Sequence, residues 1–367
     1  VGFWQGTLED LVMLPDTHFW HGKRVLLTGH TGFKGGWLAL WLKRLGADIT
    51  GIALAPTTQP NLFESAHVGV GMSGHFCDIR DARMLSSLVR QAQPEVVFHL
   101  AAQPLVRLSY QDPLATYATN VMGTAHLLDA VRELAGLRVA VMITTDKVYR
   151  NMEHYFPYRE NDVLGGHDPY SASKAASEIV IASYRDAWLA KQGVAVASAR
   201  AGNVIGGGDW SQDRLIPDAV RAWQTGAPLL VRNPNATRPW QHVLEPLAGY
   251  LTLAQALWMQ PELAGAYNFG PHTHQAASVG EVIDLACGAY GKGLIRYENS
   301  ADQVHEARWL ALETTQAQTV LGVHPRWTLA QCVKQTMNWY RQFAEGEDAR
   351  DLCNADFSAF ESTGLVV

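Results

Sequence analysis

Arg24-Val25-Leu26-Leu27-Thr28-Gly29-His30-Thr31-Gly32-Phe33-Lys34-Gly35 is the stretch that decides the fold. A strand-favouring run closes on a threonine, a glycine-rich turn follows, and Trp37, Leu38, Leu40, Trp41 and Leu45 then recur at helical spacing. Gly29, Gly32 and Gly35 suit a tight turn through which the backbone approaches a pyrophosphate at the N-terminus of the helix. The motif predicts dinucleotide binding, with Thr31, Phe33 and Lys34 against the cofactor and no room for a Cβ at Gly29 or Gly32.

Outward from this turn, strands and helices alternate. A second strand over Asp48–Leu54 ends in Ile52-Ala53-Leu54-Ala55, without the acid that usually grips the ribose hydroxyls of NAD. No arginine stands there either, although Lys34 is near enough in sequence to meet a 2′-phosphate, so these residues leave NAD and NADP open. Asp78 and Ile79 follow a short third strand, with Asp78 expected on the adenine amine. Val96–Leu100 is the continuous apolar run of a strand buried in a parallel sheet. It leads into Ala101-Ala102-Gln103, small residues and an amide where a cofactor would lie. His99, inside that strand, reads as core. Asp112-Pro113 opens a helix to about Leu134, and Val139–Thr144 and Val194–Arg200 are further strands. The pattern is that of an α/β protein. A Rossmann-like, doubly wound parallel sheet is expected, with a smaller, mixed α/β C-terminal substrate-binding domain.

A chain of 367 residues has room for both parts. The expected division is an N-terminal extension over 1–20, a dinucleotide domain over 21–200, and a substrate domain over most of 201–345. The chain returns to the sheet around 240–270, through an amphipathic helix over Pro246–Met259 and a strand at Ala266–Phe269. The polar tail, 346–367, is expected to fray. A net charge of −6 without a basic run points away from nucleic acid and anionic membranes. No long apolar span or secretory leader is visible, which suggests a cytoplasmic protein. Four scattered cysteines and the pair His272 and His274, lacking a third ligand, suggest no metal site.

The end of the fifth strand carries the chemistry. In an open α/β sheet the carboxyl ends of the strands face the ligand crevice, so Thr144 is expected at the cofactor and Thr145, Asp146 and Lys147 at the substrate. Tyr170 and Lys174 stand four apart on one face of a helix running to about Lys191. An ammonium beside a phenol favours the phenolate and draws its pKa, ordinarily about 10, towards neutrality. With Thr145 orienting a substrate alcohol, this set can take a proton from a carbinol while a nicotinamide accepts hydride. Ala201-Gly202-Asn203-Val204 is a small-residue turn suited to cover the nicotinamide. Arg232 and Arg238 lie in a polar loop and suit the pyrophosphate of a substrate, which arginine's planar fork grips in bidentate fashion.

A glycine loop followed by Tyr-x-x-x-Lys resembles the extended short-chain dehydrogenases/reductases. The likeness narrows over about Phe19–Tyr340. Thr28–Leu38, Ala101–Arg107, Thr145–Tyr149, Gly202–Trp210 and Arg238–Val243 resemble, in register, the nucleotide-sugar 4,6-dehydratases that act on CDP-glucose. The resemblance implies bound NAD, CDP-glucose as substrate, CDP-4-keto-6-deoxyglucose as product, and a cytoplasmic homodimer serving surface-polysaccharide synthesis. It assigns Tyr170 as the oxidation base, Lys174 as its partner and Thr145 as the substrate hydroxyl contact. Asp146 and Lys147 are placed at C5 and C6, and Arg107, Asn203 and Leu215 at the nucleotide sugar. Sister enzymes acting on dTDP-glucose carry Asp-Glu where this chain has Asp146-Lys147. A nucleotide-sugar 4-epimerase would need no such pair, and a non-catalytic NAD-binding protein could dispense with Thr145, Tyr170 and Lys174 as well. The choice among CDP, UDP and dTDP rests on the resemblance alone.

Overall fold

Seven parallel strands form the sheet of the computed structural model, which describes residues 14–297 and 308–364. They are β1 (Arg24–Thr28), β2 (Asp48–Ala53), β3 (Ser73–Phe76), β4 (Val96–His99), β5 (Val139–Ile143), β6 (Ala195–Ala201) and β7 (Ala266–Phe269). Their spatial order is β3-β2-β1-β4-β5-β6-β7, so the direction of winding reverses between β1 and β4. Side chains alternate across the sheet as a strand's period of two requires. Val25, Leu27 and Phe98 pack with Trp37 and Trp41 of the helix Phe33–Arg44, whereas Leu26 and Val97 pack with Leu85, Leu127 and Ile181 on the other face. Both faces are covered around β1, β4 and β5, which is why these central strands read as apolar runs.

Expectation and structure part company in three places. The helix Leu244–Met259 is not amphipathic: Leu244 and Pro246 to Gln255 are all buried, since it packs on β5 and β6 and is flanked by the helices Phe33–Arg44 and Thr315–Leu321. The predicted helix from Asp112 to Leu134 is Pro113–Tyr117 and Gly123–Arg132 joined by a wider π-turn, Ala118–Met122. That turn carries Asn120, whose side chain accepts from Gln103 N and donates to Ser173 Oγ. Nor does the tail fray. Asp348 caps a helix over Ala349–Ser362 that buries Phe357 and Phe360 completely, against Trp37, Trp41 and Trp327. Leu352, Cys353, Phe357 and Phe360 recur at helical spacing, so an apolar stripe was present within a polar composition.

At the other end, Glu9–Met13 lie outside the described residues. Trp20 is fully buried and donates to Gln255 Oε1 at 2.9 Å, so the chain is docked before β1 begins. Short strand pairs build the second lobe: Pro228–Val231 with Leu294–Tyr297, Thr237–Arg238 with Ala277–Ser278, and Val204–Ile205 with Gln241–His242. Among the described residues no helix is long and apolar enough to cross a membrane.

Candidate active site

The carboxyl ends of the central strands open on a cleft of about 1390 Å³, lined from the second lobe by Leu215, Arg232 and Trp240. Pockets for one drug-sized ligand run from roughly 300 to 1,000 Å³, so this cleft has room for a dinucleotide and a second ligand.

The glycine turn forms its floor. Gly29 has φ +80°, and a Cβ there would stand 2.8 Å from Ala101 N. A Cβ on Gly35 would come within 2.0 Å of the Gly29 carbonyl. Gly32 differs from the expectation: its φ is −80° and a Cβ would meet only Gly29 O, at 3.4 Å. The fold therefore requires glycine at 29 and 35, whereas Gly32 borders the open cleft where a phosphate would sit. Gly35→Ala is expected to cost about 1–3 kcal/mol of stability. Gly32→Ala is expected to melt like the wild type and lose only dinucleotide affinity. Thermal unfolding, with and without NAD, separates the two.

Phe33, Ile79, Ala101, Ala102, Thr144, Ala201 and Val204 line the cleft. Thr31 also lines it, with its hydroxyl donating to Leu54 O at 2.8 Å. Lys34 turns away from the ribose end expected for it, donating to the Tyr250 hydroxyl at 3.0 Å. Burial, with Arg214 and Lys174 nearby, lowers its pKa to about 7. The hint of a 2′-phosphate contact from Lys34 therefore falls away. Asp78 lines the cleft but its carboxylate is gripped by Arg80, at 2.9 and 2.6 Å from Oδ2, so the adenine contact expected of it competes with an ion pair. Gln103 does not line the cleft. Its amide braces its own loop, donating to Leu105 O and Thr116 Oγ and accepting from Leu105 N, because that turn leaves backbone groups to satisfy.

Beyond β5 the chain leaves the sheet through Thr144 and Thr145 into a 3₁₀ turn, Asp146–Val148. The turn puts Lys147 on the cleft surface and Asp146 beneath it, fully buried. Lys147 Nζ is 3.5 Å from Asp146 Oδ1, which also accepts from Thr145 Oγ at 3.0 Å. Asp146 Oδ2 has no hydrogen-bond partner among the described residues. It lies 3.1 Å from where a Cβ on Gly202 would stand, a place already taken by the Pro239 ring, whose Cγ would be 2.4 Å away, so Gly202 and Pro239 pack over this side of the carboxylate.

Asp168 caps and Pro169 opens the helix Pro169–Tyr184, which brings Tyr170 and Lys174 to this strand end. The phenol hydrogen-bonds Thr145, but its pKa is not drawn to neutrality. Burial raises it to about 12, against the opposing effects of Thr145 and Arg214. The expected Lys174 contact is absent because that ammonium donates to Ile143 O at 3.2 Å, and burial lowers its pKa to about 8.

The substrate candidates are spread along the far side. Asn203, Leu215, Arg232 and Arg238 line the cleft, and Arg238 is buried with one nitrogen donating to Thr237 O. Arg107 also lines it, paired at 2.8 Å with Asp213 across 106 residues of sequence. Arg214, paired with Asp209 at 3.3 Å, and Glu178, bonded to Thr144 Oγ, were not anticipated. The signal for Glu178 was its spacing, one turn past Lys174 on the same helix face.

Similarity to known proteins agrees with this geometry. The chain is 45% identical over 339 residues to a CDP-glucose 4,6-dehydratase of Salmonella typhimurium, covering 91% of this chain and 94% of that protein. A UDP-glucose-4-epimerase from Stenotrophomonas maltophila with bound NAD shares the fold, with a TM-score of 0.77 at 22% identity over 89% of this chain and 100% of that one. So does a dTDP-glucose 4,6-dehydratase of Bacillus anthracis in complex with NAD, at 0.73 and 21% over 88% and 97%. Residues 26–336 match the family model described as GDP-mannose 4,6 dehydratase, and the chain belongs to that family.

Proposed function

We propose that this chain is an NAD-dependent hydro-lyase that converts CDP-glucose to CDP-4-dehydro-6-deoxyglucose and water. The observation that carries the reading is the segment Thr144–Lys147, which sets an acid/base pair beside a hydroxyl bonded to Tyr170. The nucleotide and the hexose come from the 45% identical relative. The glycine cradle fits a dinucleotide, since Gly29 and Gly35 bring the turn as close as their missing side chains allow. NAD held there by the Gly29–Gly35 turn would supply the hydride acceptor for C4 of the hexose and the hydride donor for C6.

Tyr170 removes the C4 hydroxyl proton, with Thr145 holding that hydroxyl and the Arg214 charge favouring the phenolate. Once C4 is a ketone, the carbanion left by loss of the C5 proton is delocalised into it, so that proton is acidic. Lys147, at the cleft surface, takes it and gives a proton back to C5 when hydride is returned to C6. Asp146, next to Lys147 in the same turn, gives a proton to the C6 hydroxyl, which departs as water. Arg107, Arg232 and Arg238 hold the pyrophosphate. The reading places the protein in the cytoplasm with its nucleotide-sugar substrate. It also pairs two copies through Leu114, Met122, Ile179 and Trp188, exposed on neighbouring helices.

Incubation with NAD and CDP-, UDP- or dTDP-glucose, followed by NMR of the hexose, tests the reading. A C6 methyl group is expected, formed fastest from CDP-glucose without net NADH. A 4-epimer with C6 still hydroxylated would replace it with an epimerase.

A further inference from the structure

Three successive residues at the end of β5 are each held by a different residue of the helix Pro169–Tyr184. Lys174 Nζ donates to Ile143 O at 3.2 Å, Thr144 Oγ donates to Glu178 Oε1 at 2.5 Å, and Thr145 hydrogen-bonds Tyr170. Tyr170, Lys174 and Glu178 stand four apart on one stripe of that helix. Tyr170 is the base of the reaction proposed above and Lys174 the cation the sequence pairs with it, whereas Glu178 has no part, although it is only 4% exposed.

Glu178 is more heavily bonded than burial of an ion pair demands. Arg200 alone satisfies it in bidentate fashion, Nε to Oε1 and Nη2 to Oε2, both at 2.9 Å. Thr144 Oγ and Ser198 Oγ add two further donors. Arg200 Nη1 in turn donates to the Tyr149 hydroxyl at 2.9 Å. Bonds from Glu178 therefore reach both ends of the segment Thr144–Tyr149, directly at the first residue and through Arg200 at the last. Thr145, Asp146 and Lys147 lie between them. We propose that Glu178 is a positioning residue for this reaction: it clamps both ends of that segment to the helix of Tyr170 and sets a fixed negative charge beside the Lys174 ammonium. The assignment rests on the function proposed above.

The groups around Lys174 give its charge a direction. On its own helix are Tyr170 and Glu178, from the glycine-loop helix comes Lys34, and β4 supplies His99, which burial keeps neutral with a pKa of about 3. From β6 comes Arg200, its charge matched by Glu178. Burial lowers the pKa of Lys174, and the Glu178 charge opposes that shift.

The test uses the full chain with Glu178→Gln and Glu178→Asp, and two readouts. Lysine Cε resonances, with Lys174 assigned through Lys174→Arg, report its titration directly. The pH dependence of turnover of CDP-glucose with NAD reports the chemistry. Loss of a facing charge is expected to lower the Lys174 midpoint by about one to three pH units in Glu178→Gln, and with it the limb of the kcat profile that breaks there. Glu178→Asp restores both. Should Glu178→Gln not fold, Thr144→Val removes the first bond of the clamp and keeps the charge: a lower kcat at an unmoved Lys174 midpoint is expected, and a wild-type kcat in that variant would overturn the clamp. In Glu178→Gln, an unmoved midpoint and limb, with only a lower melting temperature, would overturn the proposal. A wild type inactive on every nucleotide-glucose would instead sink the dehydratase reading, and the lysine titration would still decide the charge on Lys174.

Discussion

Tyr170→Phe is expected to bind NAD and CDP-glucose as the wild type does and to turn over about 10²–10⁴-fold more slowly, the usual worth of a placed acid/base group. That loss corresponds to about 3–5 kcal/mol of transition-state stabilisation. The substitution removes one hydroxyl from a buried ring, and the Tyr170 amide still caps onto Ser109 Oγ, so the helix start is preserved. Burial holds the phenol at about 12 in the free chain, which makes its ionisation the costly part of C4 oxidation. Turnover of the wild type should accordingly rise with pH along an acid limb that reports the phenol, and the residual activity of Tyr170→Phe should lack that limb. Calorimetric titration of both ligands and a pH series of kcat check the two halves of the expectation. A variant that kept most of its activity at neutral pH would show that another group takes the proton.

Asp146 and Lys147 are expected to divide the second half of the reaction between them. Lys147→Ala and Asp146→Asn should each lower overall turnover by about 10²–10⁴ while still reducing bound NAD when substrate is added. They should differ in solvent exchange. Lys147→Ala loses deuterium incorporation at C5, whereas Asp146→Asn keeps it and loses departure of water. The geometry motivates the split, since the Lys147 side chain borders the cleft and the Asp146 carboxyl lies beneath it with Oδ2 free of partners among the described residues. Stopped-flow absorbance of reduced nicotinamide, with NMR of the C5 proton, distinguishes the steps. If the pair served only as an ion pair, the two substitutions would lower the melting temperature and weaken both half-reactions alike. If both variants turned over at near wild-type rates, the elimination drawn here would fail.

Local sequence was enough for the sheet. The central strands β1, β4 and β5 are apolar runs bounded by turn signals, and burial on both faces makes them continuous, so period and composition alone locate them, whereas β3, Ser-Gly-His-Phe on the exposed edge, gives a weaker signal. The glycine turn and the Tyr170/Lys174 spacing were legible for the same reason: they depend on neighbours within a few residues. The helix Ala349–Ser362 was misjudged because its net polarity outweighed an apolar stripe whose partners, Trp37, Trp41 and Trp327, are remote in sequence.

What only the tertiary structure decided is where polar side chains point. A lysine's long stem reaches in many directions, and packing chose Tyr250 for Lys34 and the Ile143 carbonyl for Lys174. Space around a glycine is set by chain segments that pass it, so the demand for glycine fell on Gly29 and Gly35 and spared Gly32. Depth in the fold sets the cost of charge, which is why the phenol of Tyr170 stays protonated beside residues whose spacing alone suggested a phenolate. Glu178 shows the same division most plainly. Its position one turn beyond Lys174 is written in the sequence, but the clamp it forms needs Thr144, Ser198 and Arg200 from two strands, and only their pairing in the sheet brings those donors to one carboxylate.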